Sequence, residues 1–302
     1  MQRKTFAAAA LVAVVTGCSS SESIAPGSGD GPFTQAEARA VADEMQGELT
    51  AIIDGASVSD ILVPSLWVYP GARGIIGGPI IFLPRGLNCP TFSEPLPPAD
   101  TDGDGVPDNL TLTFDPAECI FTNPRGNVVH VLSGAVTISD PSAEDRGLHL
   151  SWADLEARTT IDETIFFLRR ITGEWEQIKS STGFSLTDQT TVTHESSEWP
   201  SAQLVKDWQV DFVADDGVTF SHHGRLPSGT LTIDGSTERT RNGVTRSLSV
   251  VTTTPLHFDA TCTERPRIDG GVVVIEHTGP RGTSTVTIEF TGCGEDPIIT
   301  LS

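Results

Sequence analysis

Four aspartates occupy positions 1, 3, 5 and 9 of one short stretch of this chain: Asp100, Asp102, Asp104 and Asp108. Calcium takes about six to eight oxygen ligands, mostly from carboxylates and backbone carbonyls. Gly105, at position 6, permits the sharp turn that brings such ligands together, and the carbonyl of Val106 at position 7 would add another oxygen. The spacing therefore predicts a calcium site with a structural role.

The stretch D-T-D-G-D-G-V-P-D closely resembles the calcium loops of EF-hands and of thrombospondin type 3 repeats. The resemblance covers residues 100–108 and implies calcium as the bound ion. It departs from the family pattern at position 12, where Thr111 replaces the bidentate acid, so Asp115, Glu118 or another strand would have to supply that ligand. We expect an affinity of about 10⁻⁴–10⁻³ M, as in extracellular modules. The alternative is an acidic turn that binds no ion.

Histidines give weaker signals. The adjacent residues His222 and His223, like His194 and Glu195, would point to opposite faces of a strand and could not readily share a metal or a substrate. The other histidines are scattered singly: His130, His149, His257 and His277. Motifs of the types G-x-S-x-G, H-E-x-x-H and the phosphate loop are absent from the sequence. The sequence therefore favours a non-enzymatic protein, although catalytic groups could still come from separate strands.

Four cysteines follow the N-terminal region: Cys89, Cys119, Cys262 and Cys293. An even number of cysteines in an exported chain indicates disulfides, and four cysteines allow three pairings. We favour Cys89–Cys119 and Cys262–Cys293, because each pair encloses a short, hairpin-like segment. A thiolate metal site is less favoured, because the chain has no C-x-x-C pair.

The N-terminus has the pattern of a secretory signal. Arg3 and Lys4 precede an apolar segment from Phe6 to Val15, which is too short to span a membrane. The following residues, Val15-Thr16-Gly17-Cys18, closely resemble the lipobox of bacterial lipoproteins. This resemblance implies that residues 1–17 are removed and that Cys18 is acylated, with palmitate among the attached chains. Ser19 in the next position implies an outer-membrane anchor in a Gram-negative cell, facing either the periplasm or the cell surface.

Residues 18–33 are rich in Gly, Ser and Pro and are predicted to form a flexible linker. Residues 34–302 are predicted to form a predominantly β domain, with two subdomains as an open alternative. A helix is predicted to begin at Thr34, because Thr34 and Glu37 form a capping box. Apolar residues then recur at helical spacing as far as Ile52, and Asp54-Gly55 is expected to end the helix.

Beyond about residue 58 the pattern changes to alternation of apolar and polar residues, as in Trp208-Gln-Val-Asp-Phe212. Such strands have one apolar and one polar face. Turn signals separate the strands: Thr172-Gly173, Asp216-Gly217, Asn242-Gly243 and Gly279-Pro-Arg-Gly282. The sequence therefore predicts an antiparallel up-and-down meander with strands of about 8–14 residues, longer than average. A barrel, a curved sheet and a two-sheet sandwich all agree with it.

The charge balance is strongly acidic. Removal of residues 1–17 takes away Arg3 and Lys4, which leaves 17 basic against 40 acidic side chains and a formal charge of −23. Such a surface should repel nucleic acid and anionic lipid headgroups and attract cations. The membrane partner we expect is therefore reached through the N-terminal lipid.

Taken together, these patterns favour an envelope lipoprotein with a structural role or one that binds proteins or glycans. A second hypothesis is a carrier or sensor of a hydrophobic ligand that lies between apolar strand faces, by analogy with other lipid-handling lipoproteins. A third is a hydrolase whose His and carboxylate groups converge in a cleft.

Overall fold

The computed structural model describes most of the region that was predicted to be the β domain: residues 34–43, 45–46, 89–95, 98–123, 125–197, 201–220, 226–264 and 267–302. The predicted signal sequence, Cys18 and the predicted linker lie outside these residues. So do the expected end of the first helix and the dipeptide His222-His223.

The described residues contain thirteen strands, most of them long: β1 (Thr91–Phe92), β2 (Asn109–Phe114), β3 (Ile120–Thr122), β4 (Val128–Ser139), β5 (Arg146–Ile161), β6 (Thr164–Lys179), β7 (Gly183–Ser196), β8 (Ala202–Ala214), β9 (Gly229–Arg241), β10 (Val244–Phe258), β11 (Ile268–Gly279), β12 (Gly282–Phe290) and β13 (Ile298–Leu301). The longest of them, β5 and β6, have 16 residues each. The prediction of a mostly β protein with long strands is confirmed.

All of these strands belong to one antiparallel sheet. Its order is β1-β2-β4-β5-β6-β7-β8-β9-β10-β11-β12-β13, and β3 pairs with β4 beside that path. Neighbours in the sheet are thus almost always neighbours in sequence, which confirms the predicted meander. The sheet is open and is not closed into a barrel. The described strands also form one sheet and not two, so the barrel and sandwich alternatives are wrong.

Two of the predicted hairpin turns are confirmed. Asn242 and Gly243 connect β9 to β10 with positive φ angles of 54° and 72°, as a two-residue turn of this kind requires. At the end of β11, Gly279 pairs with Gly282 across the turn to β12. In both places the strands continue in register on either side, because the turn matches their right-handed twist.

Two predicted hairpin turns are corrected. Thr172-Gly173 does not separate two strands, because β6 runs through it and Gly173 takes a φ of +113° opposite a register shift in β5. Glycine inside a strand often marks such a bulge, and a bulge and a turn have the same sequence signal. Asp216-Gly217 does form a turn after β8, but residues 218–220 are not in a strand, and the next strand among the described residues begins at Gly229.

The first helix, α1, comprises residues 35–43, and residues 45–46 are also helical. The predicted capping box is present: the Thr34 amide donates to Oε2 of Glu37 over 2.7 Å, and the Glu37 amide donates to Oγ1 of Thr34 over 3.2 Å. One side of the helix is buried, through Ala38, Val41, Ala42 and Met45. The predicted continuation to Ile52 lies outside the described residues.

Two hydrophobic clusters form the core. The first contains α1 and residues of β7 to β12, among them Phe212, Leu231 and Ile275. The second contains residues of β2, β4, β5 and β6, among them Trp152 and Trp175, together with Val106 of the acidic loop. Leu186 of β7 packs against both clusters, so one continuous sheet carries two cores side by side.

Candidate calcium site

The acidic loop is held against one end of the sheet. It comes directly before β2, and the Asp108 amide donates to the carbonyl of Ala99 over 2.9 Å, which closes the loop on itself. The Asp140 amide, just after β4, donates to the carbonyl of Pro107 over 2.9 Å. Val106 is buried in the second core cluster. The loop is therefore fixed by a buried side chain and by backbone hydrogen bonds at both of its ends.

Within this loop three carboxylates converge. One oxygen from each of Asp100, Asp102 and Asp104 lies within 4.8 Å of the other two. Backbone amides hold them there: the amides of Gly103 and Gly105 donate to the two oxygens of Asp100, over 2.8 and 3.1 Å. Gly103 and Gly105 both have positive φ, of 79° and 91°, which glycine adopts without strain. The predicted loop positions 1, 3 and 5 thus come together as the sequence pattern required.

Asp108, predicted to be the ligand at position 9, lies apart from this group of three. Its Oδ1 accepts a hydrogen bond from the Thr101 amide over 2.9 Å, and its Oδ2 accepts one from the Thr101 hydroxyl over 2.6 Å. These two bonds lower the pKa of Asp108. Val106, at position 7, donates its amide to Oδ1 of Asp104 over 2.7 Å.

A fourth carboxylate reaches the cluster from outside the loop. Asp140, between β4 and β5, lies close enough to Asp102 and Asp104 to interact with both, outside the group of three that converges within 4.8 Å. Burial raises the pKa of Asp140, and the two neighbouring carboxylates raise it further, against a hydrogen bond from the Ser142 amide. Sequence spacing could not reveal this residue, because it lies more than thirty positions along the chain and reaches the loop through the pairing of β2 with β4.

Burial and mutual repulsion of the carboxylates favour a bound cation at this cluster. Burial is the main cause that raises the pKa of Asp104, and Asp102 and Asp100 add to it. Arg146, the first residue of β5, acts in the opposite direction and neutralises part of the negative charge. Oδ2 of Asp104 is buried and accepts no hydrogen bond from any described residue. An oxygen of this kind, beside three further carboxylates, fits a hard cation such as Ca²⁺.

The remaining predicted ligands do not join the cluster. Oδ1 of Asp115 accepts a hydrogen bond from the amide of Ala117 over 2.8 Å, and the Asp115 carbonyl accepts one from the amide of Glu118 over 3.0 Å.

Both predicted disulfides are confirmed: Cys89 pairs with Cys119, and Cys262 pairs with Cys293. Cys89–Cys119 joins the segments on either side of the acidic loop and β2, so it encloses the candidate site.

The described histidines do not share a common site. His194 and Glu195 fall on opposite faces of β7, as their adjacency predicted. Nδ1 of His130 lies 2.9 Å from Oγ1 of Thr159, and Nδ1 of His149 lies 3.3 Å from Oγ of Ser139. These are cross-strand contacts within the sheet.

His257 differs from the other described histidines because it lies between two carboxylates, an arrangement that sequence reasoning missed. Its Nδ1 lies 2.6 Å from Oδ1 of Asp269 on β11, and its Nε2 lies 3.4 Å from Oδ2 of Asp215 after β8. The hydrogen bond with Asp269 is the main cause that raises the pKa of His257. The three side chains are about one-third exposed or more. Both ring nitrogens of His257 therefore face carboxylates, and two of the three residues come together only when β10 and β11 pair.

No family model, curated protein or solved structure matches this chain. Among the described residues, no helix has both the length and the apolar character needed to cross a membrane.

Proposed function

We propose that this protein is a lipid-anchored protein of the bacterial envelope, with a non-enzymatic structural or surface-binding role and an acidic loop that calcium stabilises. The loop is the feature that carries the calcium part of this proposal. Three carboxylates converge within 4.8 Å, a fourth comes from Asp140, and a buried oxygen of Asp104 accepts no hydrogen bond from the described residues. Calcium at this position would offset the mutual repulsion of these groups.

The proposed role of the ion is to fix structure. The loop contributes Val106 to the second core cluster, lies inside the Cys89–Cys119 bridge and hydrogen-bonds to the end of β4. An ion that binds Asp100, Asp102, Asp104 and Asp140 would connect the loop to the β4–β5 connection. Binding to the native state alone stabilises a protein as the ligand concentration rises.

A thermal melt of the full chain, with calcium and with chelator, tests this part. We expect the midpoint to rise with calcium at millimolar concentrations and to fall back with chelator. Asp102→Asn should abolish the rise, because it removes a central charge. Asp296→Asn is a matched control, since Asp296 is an exposed aspartate far along the chain that contacts Arg39. An unchanged midpoint in saturating calcium would reduce the loop to an acidic turn.

The anchor is a separate proposal and requires a separate test. Its support is the lipobox-like segment Val15-Thr16-Gly17-Cys18. Expression in a Gram-negative host with labelled palmitate should give a labelled protein in the outer-membrane fraction, and Cys18→Ser should remove the label and release the protein. A protein that remains unlabelled while its signal is cleaved would show an ordinary exported protein.

A further inference from the structure

The register of the central strands separates charge between the two faces of the sheet. Residues that lie directly opposite each other in an antiparallel pair point to the same face. One such row runs Arg169, His194, Ala202, Arg241 and Val244 across β6 to β10. The same pairing assigns every residue of the regular parts of these strands to one face or the other.

The face that contains this row is basic, and we call it the cationic face. Its cationic side chains on β6 to β10 are Arg169, Lys179, Lys206, Arg239, Arg241 and Arg246. One carboxylate, Asp188, shares the face on these five described strands, and its Oδ2 lies 3.5 Å from Nζ of Lys206. On these five strands the cationic face therefore carries six basic side chains and one carboxylate.

The opposite face of the same strands has the reverse composition. Its carboxylates are Glu174, Glu176, Glu195, Asp207, Asp211, Asp234 and Glu238, and Arg170 is its basic residue. Arg170 is bound there by Glu156 of β5, over 2.7 Å. Although the chain is acidic overall, the two faces of β6 to β10 therefore differ in charge: one is acidic and the other is basic.

Apolar side chains lie among the cations. The row next to Arg169 and Arg241 contains Ile171, Val192 and Leu204 beside Arg239. These residues are half-buried and lie on the same face of the sheet as the core clusters. Ile171 packs against the second cluster. Five strands at about 4.8 Å spacing make a surface roughly 20 Å wide. This width suits a single amphiphile with its headgroup among the arginines.

Two histidines lie near the cations of this face. Burial is the main cause that lowers the pKa of His194, and Arg169 and Arg241 lower it further. Burial likewise lowers the pKa of His277 on β11, and Arg246 and Arg281 add to that effect. Cations therefore act on histidines of β7 and of β11, which lie four strands apart in the sheet, although Glu37 opposes their effect at His277.

We propose that the cationic face binds a single anionic amphiphile, namely a lipid with a phosphate headgroup. Arg241 and Arg246 would contact the phosphate, and the acyl chains of the lipid would cover the apolar row of Ile171, Val192 and Leu204. Guanidinium groups suit phosphate oxygens because they can donate two parallel hydrogen bonds. A nucleic acid or an acidic polysaccharide has no acyl chains and would leave the apolar row uncovered. This proposal does not depend on the anchor or on calcium.

The probe for the test is phosphatidylglycerol, as a fluorescent monomer below its critical micelle concentration. Phosphatidylcholine with the same acyl chains is the neutral control lipid. The protein is the full chain with both disulfides formed and with Cys18→Ser, so that no attached lipid competes. We expect phosphatidylglycerol to bind and phosphatidylcholine to bind at least about tenfold more weakly. The preference should decrease as salt is added.

Two matched variants locate the binding. Arg241→Gln with Arg246→Gln removes two positive charges from the cationic face and should weaken phosphatidylglycerol binding by roughly tenfold or more. Thr193→Glu with Thr240→Glu makes the same change in net charge on the opposite face of neighbouring strands, and should leave binding within about twofold. If the first variant fails to fold, the salt dependence of phosphatidylglycerol binding by the chain with an unchanged cationic face tests the proposal instead.

Several results would overturn the proposal. They are equal binding of both lipids without salt dependence, equal loss in the two variants, or full competition by glycerol 3-phosphate, which lacks acyl chains. Binding to phosphatidylglycerol vesicles without binding to the monomer would replace a single bound lipid by docking to a bilayer, and would also contradict the proposal.

Discussion

The Nδ1 atom of His257 lies 2.6 Å from Oδ1 of Asp269, and this contact joins the ends of β10 and β11 next to the loop that follows β8. On the other side of the ring, Asp215 lies 3.4 Å from Nε2. The hydrogen bond to Asp269 raises the pKa of His257 above its usual value, and Asp215 adds to the shift against the effect of burial. The imidazolium form is therefore the one that the folded protein favours.

This relationship predicts a dependence of stability on pH. Because the folded pKa of His257 exceeds the unfolded value of about 6.5, the contact contributes fully below that value and is lost as pH rises through the folded pKa. We expect the free energy of unfolding of the wild type to exceed that of Asp269→Asn by more at about pH 5.5 than at about pH 8.5. The difference should stay below about 1 kcal/mol, since the His257 side chain is 39% exposed.

The comparison between variants is essential, because other histidines act in the opposite direction. Burial lowers the pKa values of His130, His194 and His277, so their contribution is lost as pH falls. Denaturant unfolding at both pH values, repeated in a His257→Gln background, isolates the pair. A pH-dependent effect of Asp269→Asn that persists without His257 would contradict our assignment.

The His257 contact also shows why sequence reasoning found the fold more readily than the sites. Alternating residues and the Asn242-Gly243 turn predict strands and their order, because each signal is local. His257, Asp269 and Asp215 are separated by many residues, and a register shift between His257 and Phe258 helps to place the imidazole. Asp140 joins the acidic loop in the same non-local way. The opposite charges of the two sheet faces likewise emerge only after the register of β6 to β10 is known.

Glycine within β6 provides a second prediction. Gly173 has a φ of +113°, and a Cβ atom built there would collide with the backbone carbonyl of Gln189 on β7. Gly173→Ala should therefore destabilise the protein by about 2–3 kcal/mol or more, because backbone atoms of a paired strand cannot readily move aside. Gly217→Ala is the control: its φ is +78°, but nothing lies within 4 Å of the built Cβ. It should cost about 1 kcal/mol, from backbone strain alone.

Denaturant midpoints at equal protein concentration measure this difference. Equal losses in the two variants would mean that the pairing of β6 with β7 is looser at Gly173 than the structure shows. The same pair explains the misread turn, because both glycines follow a polar residue and have positive φ, yet one lies in a strand and one in a turn. The difference between them is set by the partner strand, which no local signal describes.

The disulfides provide a third prediction. The two bridges close loops of nearly equal length, with separations of 30 and 31 residues. In the chain-entropy model each restricts the unfolded state by a similar amount, about 3–4 kcal/mol. Cys262→Ala with Cys293→Ala should thus lower the free energy of unfolding by about as much as Cys89→Ala with Cys119→Ala in the presence of calcium. An unchanged denaturant midpoint in either double variant would contradict this expectation.

The last prediction separates Asp108 from Asp140. The sequence pattern assigns Asp108 to the calcium site, whereas the structure has its carboxylate on Thr101 and brings Asp140 beside Asp102 and Asp104. Asp140→Asn should therefore weaken calcium binding by about tenfold, since it removes a charge next to the ion. Asp108→Asn should change the calcium affinity by less than about threefold, because the new amide oxygen can still accept the Thr101 amide.

Isothermal titration of each variant with calcium measures the two affinities directly, and a melt in chelator measures the loop without the ion. In chelator the order should reverse. Asp140→Asn should be neutral or slightly stabilising, because it relieves repulsion with Asp102 and Asp104. Asp108→Asn should lower the melting midpoint slightly, because its bond to the Thr101 hydroxyl becomes weaker. A calcium affinity that depends on Asp108 and not on Asp140 would mean that the ion draws the loop into the arrangement that the family pattern implies.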